Sequence, residues 1–466
     1  MSEFKELKQL LDDTMIRSLT FLEDLPARRV GPQADARRLR ESLRLPLPEQ
    51  PQDPLRVVAE LADAVEPGLV ATAGPRYFGF VIGGALPAAL AADWLATAWD
   101  QNAGATVVSP AASVAEEVAG EWLKELLGLP AHASVGFVTG GQMANFTGLA
   151  AGRQHVLAEL GWDVQHDGLM GAPQITVIVG QERHVTIDRA LRLLGLGTSC
   201  ITPVATDDQG RMRPDALRDA LERADGPFIV CAQVGNVNSG AIDPVGAICE
   251  IAHEHGAWVH VDGAFGLWAA ASARLRPLVE GMQHADSWAT DAHKWLNVPY
   301  DCGLAFVADS DSHRAAMTAT AEYIPPRIGG ERDAVDWNPE FSRRARGFAV
   351  YAALRSLGRG GVESLIDRCC AHARRFAEAL AARDDIEILS EVVLNQVLVR
   401  FLDPDGDHDE RTRAVIAAVQ EDGTTWMGGT TWHGMGAMRI SVSNWSTTAE
   451  DVDRSVAAIL AAANRI

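Results

Sequence analysis

The stretch Asp286-Ser287-Trp288-Ala289-Thr290-Asp291-Ala292-His293-Lys294-Trp295 decides how this chain is read. It starts as a strand-like run and ends with a lysine placed directly after a histidine. A lysine whose pKa is lowered by burial or by a neighbouring cation has a free amine that can attack a carbonyl carbon. Taken alone, the pair also fits a surface lysine.

Just upstream, Gly256-Ala257-Trp258-Val259-His260-Val261-Asp262-Gly263-Ala264-Phe265-Gly266 reads as a buried strand that ends on Asp262 and continues in small residues. A carboxylate there can hydrogen-bond a protonated pyridine nitrogen and keep it cationic, which makes the ring an electron sink. The small residues let a flat ring lie against the backbone. On its own, Asp262 fits a helix cap or a turn equally well. Further upstream, Thr139-Gly140-Gly141-Gln142-Met143-Ala144-Asn145 lies between a strand-like run and a helix. Glycines at a helix N-terminus expose backbone N–H groups that can hold a phosphate. The pattern is neither a nucleoside-triphosphate P-loop nor a dinucleotide fingerprint. His184, in Gln181-Glu182-Arg183-His184-Val185, stands at a strand end where an imidazole can stack on a pyridine ring. By itself it also fits an ordinary core or surface histidine.

Around these motifs, strand-like runs at 135–139, 174–179, 227–233, 258–262, 287–291 and 303–308 alternate with helical stretches such as 143–157, 214–224 and 245–255. That alternation predicts βαβ units and a mostly parallel sheet, with ligands at the carboxyl ends of its strands. Beyond 345 a long helix at 346–382, strand-like runs at 391–402 and 437–442, and a closing helix at 448–464 predict a smaller α+β domain. Residues 1–66 read as a helical arm, with Leu7, Leu10, Leu11 and Ile16 at helical spacing. Pro46, Pro48, Pro51 and Pro54 mark a break within it before an amphipathic helix at 55–65. Such an arm rarely folds alone and is expected to wrap over a partner subunit. The expected division is 1–66 for the arm, 67–325 for a large α/β domain and 326–466 for a small C-terminal domain. No internal repeat occurs.

The 466 residues are 47% hydrophobic and 22% charged, an ordinary balance for a soluble globular chain of two or three packed regions. A net charge of −21 repels nucleic-acid phosphates and anionic membranes, and says little about a small substrate. No apolar run approaches the roughly 20 residues of a membrane span. The N-terminus is charged from its start and has no apolar signal core. Six cysteines occur without a Cys-x-x-Cys pair or a metal spacing. They read as reduced thiols of a cytoplasmic protein with no metal site.

Glycine loop, histidine, aspartate and lysine occur in that order, each after a strand. In this the chain resembles the pyridoxal-phosphate-dependent (group II) amino-acid decarboxylases, the aromatic-L-amino-acid and glutamate decarboxylase group of the aspartate-aminotransferase-like fold (fold type I). The resemblance runs from about residue 70 to the C-terminus and is most specific in Asp291-Ala292-His293-Lys294-Trp295 and His260-Val261-Asp262. It implies an α/β fold with a mostly parallel seven-stranded sheet and a smaller α+β C-terminal domain. It further implies that Lys294 holds pyridoxal 5′-phosphate as an internal aldimine and that His293 touches the phosphate. Asp262 would pair with the ring nitrogen, Ala264 would support one ring face, and His184 would stack on the other, close to the reacting Cα. Gly141 and Gln142 would hold the phosphate, with Gln142 standing where the family often has Ser or Thr. Asp291 aligns with a position near phosphate and ring. In Gly235-Asn236-Val237-Asn238-Ser239-Gly240 the family often has Gly-Thr-Thr. Val237 cannot hydrogen-bond the ring hydroxyl, and Asn238 is the candidate replacement.

The implied activity is L-amino-acid decarboxylation, in which a Cα carboxylate held perpendicular to the ring leaves as CO2 and an amine results. Many family members carry a loop tyrosine that protonates Cα. Aligned through Trp337 and Arg343-Arg344, that position is Ala334, and the nearest tyrosine is Tyr323. Either Tyr323 reaches in, or His184 or water supplies the proton, or the reaction differs. In this family, loss of the tyrosine accompanies oxygen-dependent aldehyde formation, so an aldehyde-forming enzyme or an aminotransferase is the alternative. An intact Lys294, Asp262 and His184 argue against a non-catalytic cofactor-binding scaffold. Arg439 is either structural or a bidentate contact for a substrate carboxylate. The stretch 75–84 resembles the family's substrate wall; in it Phe78 and Phe80 alternate and are expected to face the same way, with Gly83 beside them. Core packing is the competing reading of those aromatics. Trp99 and Asn102 sit where the family approaches a neighbouring subunit's site, and a homodimer with shared active sites is expected.

Overall fold

The computed structural model of the protein describes residues 2–319 and 332–466. Seven strands, β1 (Ser134–Val138), β2 (Thr176–Gly180), β3 (Ile201–Val204), β4 (Phe228–Gln233), β5 (Trp258–Asp262), β6 (Ser287–Asp291) and β7 (Gly303–Val307), form one sheet in the order β1-β7-β6-β5-β4-β2-β3. Pairings from β3 through β6 are parallel, and β7 runs antiparallel to both of its neighbours. The residues of β5, β6 and β7 are buried throughout, and β4 is nearly so. The nearly continuous apolar runs of β4 and β7 suit strands covered by helices on both faces.

Helices Gly141–Ala158, Val185–Leu193, Pro214–Arg223 and Val245–Glu254 make the crossovers. The sequence reading anticipated six of these strands to within a few residues. The missing one, β3, is only four residues long and carries Pro203, which an edge strand tolerates and which hides it from a propensity argument.

A second sheet joins β8 (Ile386–Ile388), β9 (Gln396–Phe401), β10 (Gly428–Trp432) and β11 (Met435–Ser441) in the antiparallel order β10-β11-β9-β8. Helices Gly347–Leu380, His408–Asp422 and Ala449–Arg465 complete this smaller α+β region. The first of them is kinked at Gly358, whose φ of 61° no L side chain adopts readily. The N-terminal helices Ala36–Leu43 and Pro54–Val65 bury no residue in the chain itself. No helix among the described residues is long and apolar enough to cross a membrane.

The stretch 76–78 laces the two regions together. Trp426 N–H donates to Arg76 O at 3.2 Å, Phe78 N–H to Trp426 O at 2.9 Å, and Ser441 N–H to Phe78 O at 2.9 Å. Here the expectation for the two phenylalanines fails. Phe78 is buried edge-on against Phe376, whereas Phe80 is 61% exposed and stacks over Trp426 at 6.1 Å. Alternation by two holds only in an extended strand, and Phe80 sits at φ 51° in a turn.

Candidate active site

The carboxyl ends of β4, β5 and β6 lie on one edge, where Asp262 pairs in register with Gln233 and Ala289. Past the strand ends the backbone stays stitched: Gly263 N–H donates to Ala289 O at 2.9 Å and Asp291 N–H to Ala264 O at 2.9 Å. These bonds set Asp262, Ala264 and Asp291 side by side, with Lys294 on the turn that follows. Lys294 Nζ lies 2.8 Å from Asp291 Oδ2. Asp291 Oδ1 accepts the Gly141 N–H at 2.5 Å and stands 3.4 Å from His293 Nε2. His293 Nδ1 accepts the Cys302 N–H at 3.0 Å, so the neutral ring carries its proton on Nε2, facing Asp291. Burial holds the His293 pKa below the ordinary value, and the Tyr300 ring stacks on it at 4.2 Å.

The glycine loop reaches this edge because Val138 and Asp291 both pair with Gly303. A Cβ on Gly303 would stand 2.5 Å from Gly140, so only glycine lets the loop settle there. Gly141 opens the helix that follows, and its N–H is one of the donors a helix N-terminus leaves free. The Gln142 side chain is engaged elsewhere, donating to Thr186 O at 3.3 Å.

His184 caps the helix Val185–Leu193. Its Nδ1 accepts the Thr186 N–H at 3.3 Å and lies 2.8 Å from Thr186 Oγ1. The proton of the neutral ring is therefore on Nε2. Burial lowers the His184 pKa, the negative charge of Asp262 opposing it only in part.

His184, Asp262, Ala264 and Lys294 line a single small cavity together with Val81, Val237 and Phe265. The residues singled out from sequence for the ring thus come together. Asn238 does not join them: its Oδ1 accepts from Thr430 Oγ1 at 2.9 Å and from Arg439 Nη1 at 3.5 Å, and Val237 takes the place in the cavity. Arg439 forms no ion pair with a carboxylate among the described residues, and burial lowers its pKa. Gly83 presses on the lysine turn so closely that a Cβ there would stand 1.9 Å from the Lys294 carbonyl oxygen. Ala334 is fully buried in a helical turn and carries no hydroxyl. Tyr323 lies outside the described residues. No cluster of three or more metal-ligating side chains occurs among the described residues.

For several neighbours of the site the sequence reading assigned no role: Val81, Asn145, Thr186, His260 and Tyr300. For Asn145 a signal existed, since it follows Gly141 by one helical turn and must share its face.

Comparison with known proteins gives the family and the fold. A family model described as the pyridoxal-dependent decarboxylase conserved domain matches residues 37–402. The aromatic-L-amino-acid decarboxylase of Bacillus atrophaeus is 28% identical over 405 residues, covering 85% of this chain and 82% of that protein. The phenylacetaldehyde synthase of Arabidopsis thaliana is 25% identical over 458 residues, covering 94% and 91%. The solved structure of Oryza sativa TDC with PLP and tryptamine superposes with a TM-score of 0.92 at 24% identity, covering 99% of this chain and 98% of that one, and so shares the fold. The seven-stranded sheet with its smaller antiparallel domain is that of the fold type I enzymes that use pyridoxal 5′-phosphate. The chain belongs to the pyridoxal-dependent decarboxylase family.

Proposed function

We propose that the protein is an L-amino-acid decarboxylase in which Lys294 Nζ binds pyridoxal 5′-phosphate covalently. The carrying observation is the convergence of Lys294, Asp262, His184 and Ala264 on one cavity at the carboxyl edge of β5 and β6. The residues present fit the cofactor: an amine, a carboxylate for a ring nitrogen, an imidazole and a small residue for the ring faces, and a helix N-terminus for the phosphate. Bound there, the cofactor supplies a cationic ring that accepts the electron pair of a breaking Cα bond.

The rest falls to the chain. Asp262 keeps a ring nitrogen protonated. Gly141, with the adjoining helix N-terminus and His293, receives the phosphate, and for this Asp291 has to release the Gly141 N–H. Val81 and Phe265 exclude water from the cavity. His184 holds a proton on Nε2 and is the candidate donor to Cα. Arg439, a partly buried cation with no carboxylate partner among the described residues, is the candidate contact for a substrate carboxylate.

Exposed Phe4, Leu11 and Ile16 on the arm, with Trp94, Leu95 and Trp99 on the helix Pro87–Trp99, form apolar faces that a second copy of the chain would cover. We therefore read the enzyme as a homodimer. Its six buried free cysteines suit the reducing cytoplasm.

The buried Ala334 favours one second reading. Where the family resemblance places a loop tyrosine, this chain has a methyl group, and one relative is a phenylacetaldehyde synthase. Incubating the holoenzyme with an amino-acid panel separates the two. Equimolar CO2 and amine without oxygen uptake supports decarboxylation. Oxygen uptake with ammonia and an aldehyde supports the second reading, and amino transfer to a keto acid without CO2 defeats both.

A further inference from the structure

Asp262 Oδ1 accepts the Ala264 N–H at 3.2 Å, and its Oδ2 accepts from Asn145 Nδ2 at 3.2 Å. The same amide nitrogen reaches Thr186 Oγ1 at 3.1 Å, which contacts His184 Nδ1 at 2.8 Å. On the other side, Asn145 Oδ1 meets His260 Nε2 at 3.0 Å, and His260 Nδ1 meets Ser287 Oγ at 2.8 Å. Ser287 Oγ in turn accepts the Trp258 Nε1–H at 2.9 Å. Asn145, His260, Ser287 and Trp258 are each at most 2% exposed, or buried outright, and the function proposed above uses none of them.

The charge at one end dictates the polarity of the whole row. An amide oxygen turned toward the carboxylate would be repelled, so Asn145 gives its NH2 to Asp262 and its oxygen to His260. His260 must then carry its proton on Nε2 and accept at Nδ1 from the Ser287 hydroxyl. The hydroxyl oxygen is left for the indole, which can only donate. Burial imposes the same neutral ring, pushing the His260 pKa down to about 3. Every donor in the row points toward Asp262, and each bond polarises the next. The second Asn145 N–H occupies a lone pair of Thr186 Oγ1, which leaves that hydroxyl to donate to His184 Nδ1. The packing is made for the row. A Cβ on Gly148 would stand 2.7 Å from the His260 ring, and one on Gly152 would stand 2.7 Å from Trp258.

We infer that Asn145 is a positioning residue that holds the Asp262 carboxylate and the His184 tautomer in one frame, with His260, Ser287 and Trp258 fixing its amide from behind. This rests on the roles proposed above for Asp262 and His184. It assigns the site a second layer that sets how strongly Asp262 accepts a proton-bearing ring nitrogen.

The test uses the full chain, stripped of cofactor and reloaded, as wild type, Asn145→Ala, Ser287→Ala and His260→Gln. Three quantities are read: the dissociation constant of pyridoxal 5′-phosphate from tryptophan quenching, the pH midpoint of the visible band, and the melting temperature of the apoprotein. Asn145→Ala is expected to weaken cofactor binding by about tenfold or more, the loss of one hydrogen bond to a charged group, and to move the midpoint. Ser287→Ala should shift both in the same direction by less, and His260→Gln, which keeps an amide donor, least of all.

Wild-type values for both quantities in Asn145→Ala overturn the inference, whatever its melting temperature. If that variant does not fold, unchanged values in Ser287→Ala overturn it equally. A wild type without a borohydride-sensitive visible band overturns the reading of Lys294 itself, a distinct result.

Discussion

Lys294 Nζ stands 2.8 Å from Asp291 Oδ2, and the other oxygen of that carboxylate holds the Gly141 N–H. One buried anion therefore occupies both the amine that would bind the cofactor and the donor that would meet its phosphate. Like charges this close repel by an amount on the order of 1 kcal/mol even when well screened. Asp291→Asn keeps an acceptor for Gly141 and removes the charge. Equilibrium titration of the Asp291→Asn apoprotein should show severalfold tighter cofactor binding. A severalfold loss would instead mean that the carboxylate assists attachment at Lys294.

Lys294→Ala removes the one amine that lines the cavity among the described residues. Borohydride reduction followed by peptide mapping should then label no lysine, and CO2 release should fall by about a thousandfold or more. Pyridoxal 5′-phosphate should still bind, more weakly, through Asp262 and the helix N-terminus at Gly141. Turnover at the wild-type rate would remove Lys294 from the chemistry.

The parts of this site legible in the sequence were those whose chemistry is local. Lys294 after His293, Asp262 at a strand end and the Gly140-Gly141 turn each announce themselves by residue type and by the element they terminate. What stayed hidden depends on distant pairing. Asn145 and His260 are 115 positions apart and meet only because the helix opened by Gly141 lies across β5. Asn238 looked like a ring contact by position, but Thr430 and Arg439, from the second sheet, draw its oxygen away. The fold followed the same rule: the long buried strands were legible, and the short, proline-bearing β3 and the small β8 and β10 were not.

Acid should unfold this protein in a defined window. Burial drives His260 and His313 each from the ordinary 6.5 to about 3. Between those values the unfolded chain takes up protons that the folded chain refuses, so stability is lost as pH falls from about 6.5 toward 3. Asp385, held low by Arg383, acts in the same direction at the acid end of the window. Buried Asp243, raised from 3.8 to about 6, opposes them, but its displacement is smaller than that of either histidine. The melting temperature should therefore decline below pH 6.5, and His313→Gln, remote from the cavity, should flatten the decline. A melting temperature that rises on acidification over this range would contradict the assignment of neutral buried rings.

Arg439 offers the sharpest division between a structural and a substrate role. It projects from β11 beside Asn238, burial lowers its pKa, and it pairs with no carboxylate among the described residues. Even a partly buried guanidinium without an anion gives up hydration it does not recover, so a ligand carboxylate would relieve it. Arg439→Lys keeps the charge and loses the planar fork that grips a carboxylate through two bonds. If the fork holds substrate, KM for the preferred amino acid should rise about tenfold while kcat and the melting temperature change little, since the contact is made in the ground state and the transition state alike. If Arg439 only ties β11 to the loop at Asn238, the melting temperature should fall and KM should stay where it was. Steady-state kinetics and a thermal melt on that one variant decide between the two.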